Sequence, residues 1–363
     1  MPLEIPLLTL EARATPSVSA AWLSPLLALT LTAITGAAIF LIMGKSPGIA
    51  LYIYFIEPLT SWSGLSEVLV KAGPLILIGV GLSIGFRAGI WNIGAEGQFI
   101  AGALLGSAPA IFFYESANPL ILPLMMLLGI LGGMGWAAIP AFLKTRFNAN
   151  EILVSLMLVY VAELLLIHLV QGPWRNPQGW GFPGTRMFPD AALLPVLFAG
   201  YRIHLGTIIA IVVPLLVWFA LAKTQFGFQI KVFGSAPLAA RHAGIGEKRM
   251  IWVTLMIGGG LAGLAGVIEA SSTIGQLVPK ISPGYGFTAI IVAFLGRLHP
   301  VGALLAGIAI AVTYIGGEGA QISAGLPKAV TGLFQGIILF YLLAFDLLTR
   351  YRLTRITISK SAT

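Results

Sequence analysis

The sequence predicts an all-α membrane protein of about ten helical segments, some short and broken, in a single transmembrane unit over residues 22–347. Three observations predict it. Hydrophobic residues make up 58% of the 363 positions and charged residues only 9%, whereas soluble domains carry roughly 25% charged residues. Apolar runs long enough to cross hydrocarbon recur through the chain. The polar stretches between them, the longest being residues 171–205 and 223–250, are too short for a folded soluble domain.

Residues 1–21 form a polar segment with Glu4, Glu11 and Arg13. It lacks the basic region followed at once by a short apolar core that marks a cleaved signal peptide. The first span covers about residues 21–43, and further apolar runs lie near 72–86, 97–114, 119–141, 151–170, 206–222, 251–270, 287–296, 301–316 and 329–347. Two of these, 72–86 and 287–296, are short for full spans and read as half-helices or as strongly packed, irregular segments. Between spans, residues 171–205 carry Pro173, Trp174, Pro177, Trp180 and Pro183, a set suited to a lid on the outer membrane interface. In 223–250, Ser235 reads as a helix cap and Pro237 as a first-turn residue. Ala239, Ala240, Arg241 and His242 then form a short helix that Gly244 stops before Ile245. This helix either docks in a groove of a partner or lies on lipid headgroups, and its alanine and glycine content favours close packing against protein. The chain ends in a polar tail over 348–363.

Lys and Arg placement sets the orientation. With the amino terminus inside, the dense basic cluster of 223–250 and the carboxyl tail also fall inside, so both termini are expected in the cytoplasm with an even number of crossings. The net charge of +8 therefore orients the protein in its bilayer, and nothing supports nucleic-acid binding. There is no cysteine, which excludes thiol nucleophiles and thiolate metal sites. His168, His204, His242 and His299 lie on separate segments without metal-ligand spacing. No nucleophile–base pair is visible, so neither catalysis nor a metal or other cofactor is expected in this chain. No G-x-x-x-x-G-K-[ST] motif occurs, so ATP-driven work would need another chain.

The most informative stretch is FRAGIWNIGAEGQF, residues 86–99. It sets Asn92, Glu96 and Gln98 among glycines between two apolar runs. Irregular polar backbone is tolerated at membrane depth only where protein or water surrounds it. The stretch therefore reads as part of a translocation route, the plainer alternative being a turn between two helices. Asn92, Glu96 and Gln98 are the first cargo-path candidates. An ion-coupled transporter using Glu96, Glu151 or Glu163 is the competing class.

FRAGIWNIGAEGQF, GSAPLAARHAGI (234–245), GGGLAGLAGVIE (258–269) and GYGFTAIIVAFLGRLHP (284–300) occur in that order. Together they resemble the permease subunit of bacterial ABC importers for nucleosides and simple sugars, in the branch that works with basic-membrane-protein-type binding lipoproteins. The resemblance covers about residues 70–345 and rests chiefly on NIGAEGQ. It implies a type II-like importer permease of two inverted halves, paired with a second permease, commonly a paralogue, in the cytoplasmic membrane. It further implies cytoplasmic ATPase subunits that bind ATP and Mg, an extracytoplasmic substrate-binding lipoprotein, and nucleoside cargo, with a sugar such as ribose as the alternative. Residues 234–245 would be the helix that couples the permease to the ATPase. Two departures from the family pattern, Thr288 after GYGF and Val159 in NEILVSLMLVY, leave the cargo open.

Asn150, Glu151 and Thr288 join the path candidates. Glu151 reads equally as a charge favoured at a helix N-terminus. Glu163, mid-span, is expected to face the protein interior, because a charge facing lipid is costly. Glu269 is expected near the outer side, and Arg297 and His299 in a turn before Pro300. Gly258, Gly259, Gly260, Gly263 and Gly266, with Ala262 and Ala265, predict a seam of close helix packing, within one subunit or between two.

Overall fold

The computed structural model describes residues 6–12 and 18–357. The chain divides into two compact units, one of Met1–Tyr54 with Gly317–Thr363, the other of Phe55–Gly316. The helices in order are α1 Val18–Ile42, α2 Pro47–Phe55, α3 Trp62–Arg87, α4 Ala95–Phe112, α5 Ile121–Phe147, α6 Glu151–Gln171, α7 Leu205–Lys223, α8 Gln225–Ser235, α9 Pro237–His242, α10 Glu247–Ile268, α11 Tyr285–Leu295, α12 Pro300–Ala324 and α13 Ala329–Arg350. Seven of the described helices are long and apolar enough to cross a membrane.

The all-α expectation holds for the membrane part. One feature was not expected: the segments flanking the helices pair as an antiparallel ribbon. Strand β1, Pro6–Ala12, runs beside β2, Tyr351–Thr357, with Pro6 opposite Thr357 and Ala12 opposite Tyr351. In the same unit α1 packs on α13. Phe334 stacks on Phe40 at 5.4 Å and on Tyr54 at 4.9 Å, and the Tyr54 hydroxyl bonds Thr331 at 2.8 Å.

In the second unit α4, α5 and α10 form the densest packing, and glycine makes it possible. A Cβ on Gly102 would collide with the backbone of Gly263, and one on Gly133 with the carbonyl of Gly259. The predicted small-residue seam therefore lies within one chain, joining α10 to α4 and α5. Helices α3 and α11 run parallel, with Gly79 against Val292 and Phe86 stacked on Phe294 at 5.5 Å. Helix α12 returns antiparallel, with Gly307 against Ile76.

The half-helix alternative fails for 72–86, which is instead the strongly packed part of a longer helix with every residue buried, and it holds for 287–296. Helix α3 extends ten residues before Ala72 through a polar first part, WSGLSEVLVK, started by Ser61, whose hydroxyl accepts from Gly64 N–H at 3.0 Å. Helix α11 is only 11 residues long.

The loop of residues 172–204 lies across the far end of α10. There the helix widens into a π-helical turn, Glu269–Ile274, a distortion common at functional sites. Thr185 and Phe188 N–H donate to the Leu277 and Gly275 carbonyls at 3.0 and 2.7 Å, and Leu194 N–H to that of Ser271 at 2.9 Å. Arg202 pins the same corner, bridging to Glu67 at 3.2 Å and donating to the Thr273 carbonyl at 3.2 Å.

Candidate functional site

After α3 ends at Arg87, residues 88–94 are not helical, and the chain turns back before α4 starts at Ala95. Three small residues let this segment sit deep. Gly94 lies against the backbone of Ser155 and Gly97 against that of Leu158, both on α6. Ile93 N–H donates to the Ser155 hydroxyl at 3.3 Å. Asn92 and Gln98 then close a reciprocal amide pair: Asn92 Nδ2 donates to Gln98 Oε1 at 2.8 Å, and Gln98 Nε2 to Asn92 Oδ1 at 3.0 Å. Asn92 Oδ1 also accepts from Gly94 N–H at 3.1 Å. Both side chains are buried, so the irregular backbone is satisfied inside the protein, as membrane depth requires.

Glu96 sits one turn away, where two helices begin. Gly286, in the first turn of α11, lies so close to Ala95 and Glu96 that a Cβ there would overlap their backbone. Helices α4 and α11 therefore meet start to start. The Glu96 carboxylate accepts from Gly286 N–H at 2.6 Å and from the Ser282 hydroxyl. Ser282 in turn accepts from the N–H groups of Gly284 and Tyr285, each at 3.0 Å. A carboxylate at two helix starts neutralises the positive ends of both dipoles. Two short helices with facing N-termini are the broken-helix geometry of transporter sites.

Thr288, on α11, is buried and shares a hydrogen bond of 2.9 Å with the Tyr314 hydroxyl. This leads to a cluster that the sequence did not reveal. The Lys71 ammonium lies over the rings of Tyr285 and Tyr314, 5.5 and 5.8 Å from their centroids. The Tyr285 hydroxyl donates to Glu269 at 3.3 Å, and Thr273 hydrogen-bonds the same carboxylate. Lys71, Glu269, Tyr285, Thr288 and Tyr314 come from four segments.

Asn150 caps α6, its Oδ1 accepting from Ile152 and Leu153 N–H at 2.9 and 3.3 Å. Glu151 is in the first turn and forms an ion pair with Lys144 at 2.9 Å. Neither joins the Asn92–Gln98 knot, and Glu151 lines a cavity that reaches the short helix α9. That cavity, about 280 Å³, is lined by Gly89, Ile90, Lys144, Glu151, Gly234 and Arg241 among others. Glu163 departs from expectation: in this chain it is exposed on α6, outside the one narrow stripe of Ser155, Val159, Ala162, Leu166 and Val170 that is buried.

The 234–245 segment is helical, with one correction. Ser235 does not cap α9; it is the last residue of α8, and its hydroxyl donates to the Lys231 carbonyl at 2.8 Å. Ala236 stands at the cap position and Pro237 opens α9. A proline there needs no N–H partner and sets the turn without a side-chain cap. Ala239, Ala240, Arg241 and His242 form the helix as expected. Gly244 terminates it at φ +77°, with Gly244 N–H bonding the Arg241 carbonyl at 3.1 Å and Ile245 N–H that of Ala240 at 2.9 Å, a paired C-terminal closure. Gly234 at the α8–α9 elbow abuts the Arg87 carbonyl so closely that no Cβ fits. The end of α8, which leads into the short helix, is thus in contact with the end of α3, just before the segment that carries Asn92.

A family model described as the permease component of a branched-chain amino acid transport system matches residues 64–343. The chain belongs to that permease family. The permease is 36% identical over 95% of its length, and 93% of the relative's, to a glucose ABC transporter permease protein of Haloferax volcanii. A guanosine ABC transporter permease protein of Bacillus subtilis is 29% identical, with 88% of this chain and 92% of that one covered. A nucleoside ABC transporter permease protein of Lactococcus lactis is 28% identical over 88% and 90%. Apolar spans, a broken-helix centre and family membership together make this the membrane permease of an ABC importer.

Proposed function

We propose that the permease imports a nucleoside across the cytoplasmic membrane, powered by separate ATPase subunits that bind ATP and Mg. The observation that carries a transport role is the start-to-start meeting of α4 and α11 around Glu96, beside the Asn92–Gln98 pair. Asn92, Glu96, Gln98 and Thr288 are there the framework of the route, holding irregular backbone open at depth. Helix α9 is the contact for the ATPase, and the cavity behind it gives it room to move toward Gly89 and Ile90. Both termini are assigned to the cytoplasm, which leaves the 172–204 loop outside to meet a substrate-binding lipoprotein. Two different guanosine permeases of Bacillus subtilis resemble this chain, at 29% and 31% identity, which supports a paralogous partner permease.

A sugar is the second reading, favoured by the 36% identity to a glucose permease. Uptake of labelled guanosine, uridine, ribose and glucose, with and without this gene and its neighbours intact, separates the two. Loss of nucleoside uptake alone is expected. Loss of sugar uptake alone moves the cargo assignment, and no change in any of the four overturns both.

A further inference from the structure

The exposed charge on α6 is left unexplained by the fold of the described residues. Helix α6 rises 1.5 Å per residue, so Glu163 stands about 18 Å from the Glu151 end and about 12 Å from the Gln171 end. That places it inside a hydrocarbon layer about 30 Å thick. Only one stripe of α6 is buried, and Glu163 lies beside that stripe but outside it, exposed. It takes part in no hydrogen bond or ion pair among the described residues, and it acts electrostatically on Glu96, a charge of the same sign. A carboxylate held there against lipid is disfavoured, and intramembrane carboxylates face a bundle interior or a water-filled cavity. No described element covers Glu163, so what it faces must be supplied by assembly.

Its neighbours say what kind of surface this is. Tyr160, 56% exposed, lies on the same helix one turn before. One to two turns earlier, the buried side of the helix touches Gly97 at Leu158 and Val159 and Gly94 at Ser155. Glu163 thus stands on the exposed side of the same helix whose buried side, one to two turns earlier, walls the Asn92–Gln98–Glu96 knot.

We propose that Glu163 lines a water-filled route between this chain and a second permease, and that its carboxylate contacts the hydroxyl groups of the passing cargo. An ionised carboxylate is an acceptor with two oxygens, matched to the two adjacent hydroxyls of a sugar or of a nucleoside's ribose. An exposed tyrosine ring nearby offers an apolar face for the cargo ring. The cargo class rests on the nucleoside or sugar reading above. The placement of Glu163 on the route does not.

The test uses the absence of cysteine from the chain. Glu163→Cys, expressed with its neighbouring genes in intact cells, carries the chain's one thiol. A membrane-impermeant methanethiosulfonate is expected to label it, and saturating guanosine or glucose, whichever the uptake panel identifies, to slow labelling about fivefold, within the range a bound neutral ligand protects. Reaction only with a lipid-soluble maleimide places the residue against lipid and overturns the proposal. Glu163→Gln keeps the shape in case the thiol variant does not reach the membrane. It is expected to raise KM for that cargo about tenfold and to lose discrimination against an analogue lacking one hydroxyl. Unchanged KM and unchanged discrimination remove the cargo contact. If neither guanosine nor glucose depends on the gene, the cargo reading fails separately, while water access at position 163 still decides where the residue faces.

Discussion

Close approach decides most at the level of single residues. Gly286 has no room for a methyl group because the facing atoms are the Ala95 and Glu96 backbone, which cannot rotate aside. Gly286→Ala is expected to destabilise the permease by roughly 1–3 kcal/mol, the usual penalty of overpacking. Asn92→Ala strands the Gln98 amide in a buried site and is expected to lower stability by a similar ~1–3 kcal/mol. Thermal unfolding of the purified protein checks both, and a melting temperature equal to the parent's in either variant would sink the corresponding contact. His204, before α7, is 5% exposed with both ring nitrogens unpartnered. Burial chiefly, and the Arg202 charge in addition, hold it at about 4 instead of 6.5. The unfolded chain takes up a proton as pH falls through 6.5, and the folded chain resists until about 4. The stability is whole above pH 6.5 and is lost as pH falls through that window, by roughly 3 kcal/mol in total. His204→Leu is expected to flatten the dependence of unfolding temperature on pH between 7 and 4.5, and a slope unchanged from the parent's would show that His204 is not its source. At this scale the sequence revealed that Asn92, Glu96 and Gln98 were unusual. It could not reveal their partners, because Gly286 and Ser282 lie almost two hundred positions away and meet Glu96 only through the packing of two helix starts.

Helices were legible where composition was uniform and misjudged where it changed along one element. Residues 62–71 mix Ser, Glu and Lys with apolar side chains, so the apolar run seemed to begin at Ala72. The buried side of that first part is real, since Ser66, Val68 and Val70 are covered. The short helix α11 was legible because Gly284 and Gly296 bracket it in the sequence. Helix α9 was legible from Pro237 and Gly244, but its start was misplaced by one reading, that a serine before a proline caps. Here the preceding helix α8 claims Ser235 first. The contact between Gly234, at the end of α8, and Arg87, at the end of α3, links the elbow before α9 to the helix that leads into the broken segment. Gly234→Val must push the elbow away from Arg87 and is expected to lower uptake more than tenfold while ATP hydrolysis by the assembled transporter continues, because a misplacement of about 1 Å can cost that much. Gly244→Trp, which adds a bulky side chain at a left-handed position, is expected to uncouple hydrolysis from uptake in the same way. Normal uptake per ATP in both variants would remove α9 from the coupling route.

The whole molecule carries one constraint that helix lengths do not supply and that reaches the parity expected from charge placement by an independent route. Strands β1 and β2 are hydrogen-bonded over seven residues each, and β-pairing cannot be made across a bilayer, since hydrocarbon about 30 Å thick would separate the strands. The two ends of the chain must therefore lie on the same side, and the number of crossings must be even. This bears on the elements whose spanning status length leaves open: Pro47–Leu59, Tyr285–Leu295 and Ala329–Phe345 are shorter apolar helices, and α4 has only 18 residues. Together with the seven longer helices they must add up to an even count. The preference of Lys and Arg for the cytoplasmic face then selects which side. Reporter fusions active only in the cytoplasm, placed separately at residue 1 and at residue 363, are both expected to be active, and an external protease to reach neither end in sealed cells. One active and one inactive fusion would show that the ribbon does not exist in the membrane. Two inactive fusions would keep the ribbon and reverse the orientation, moving α9 away from any cytoplasmic ATPase and with it the assignment of that helix as the coupling element.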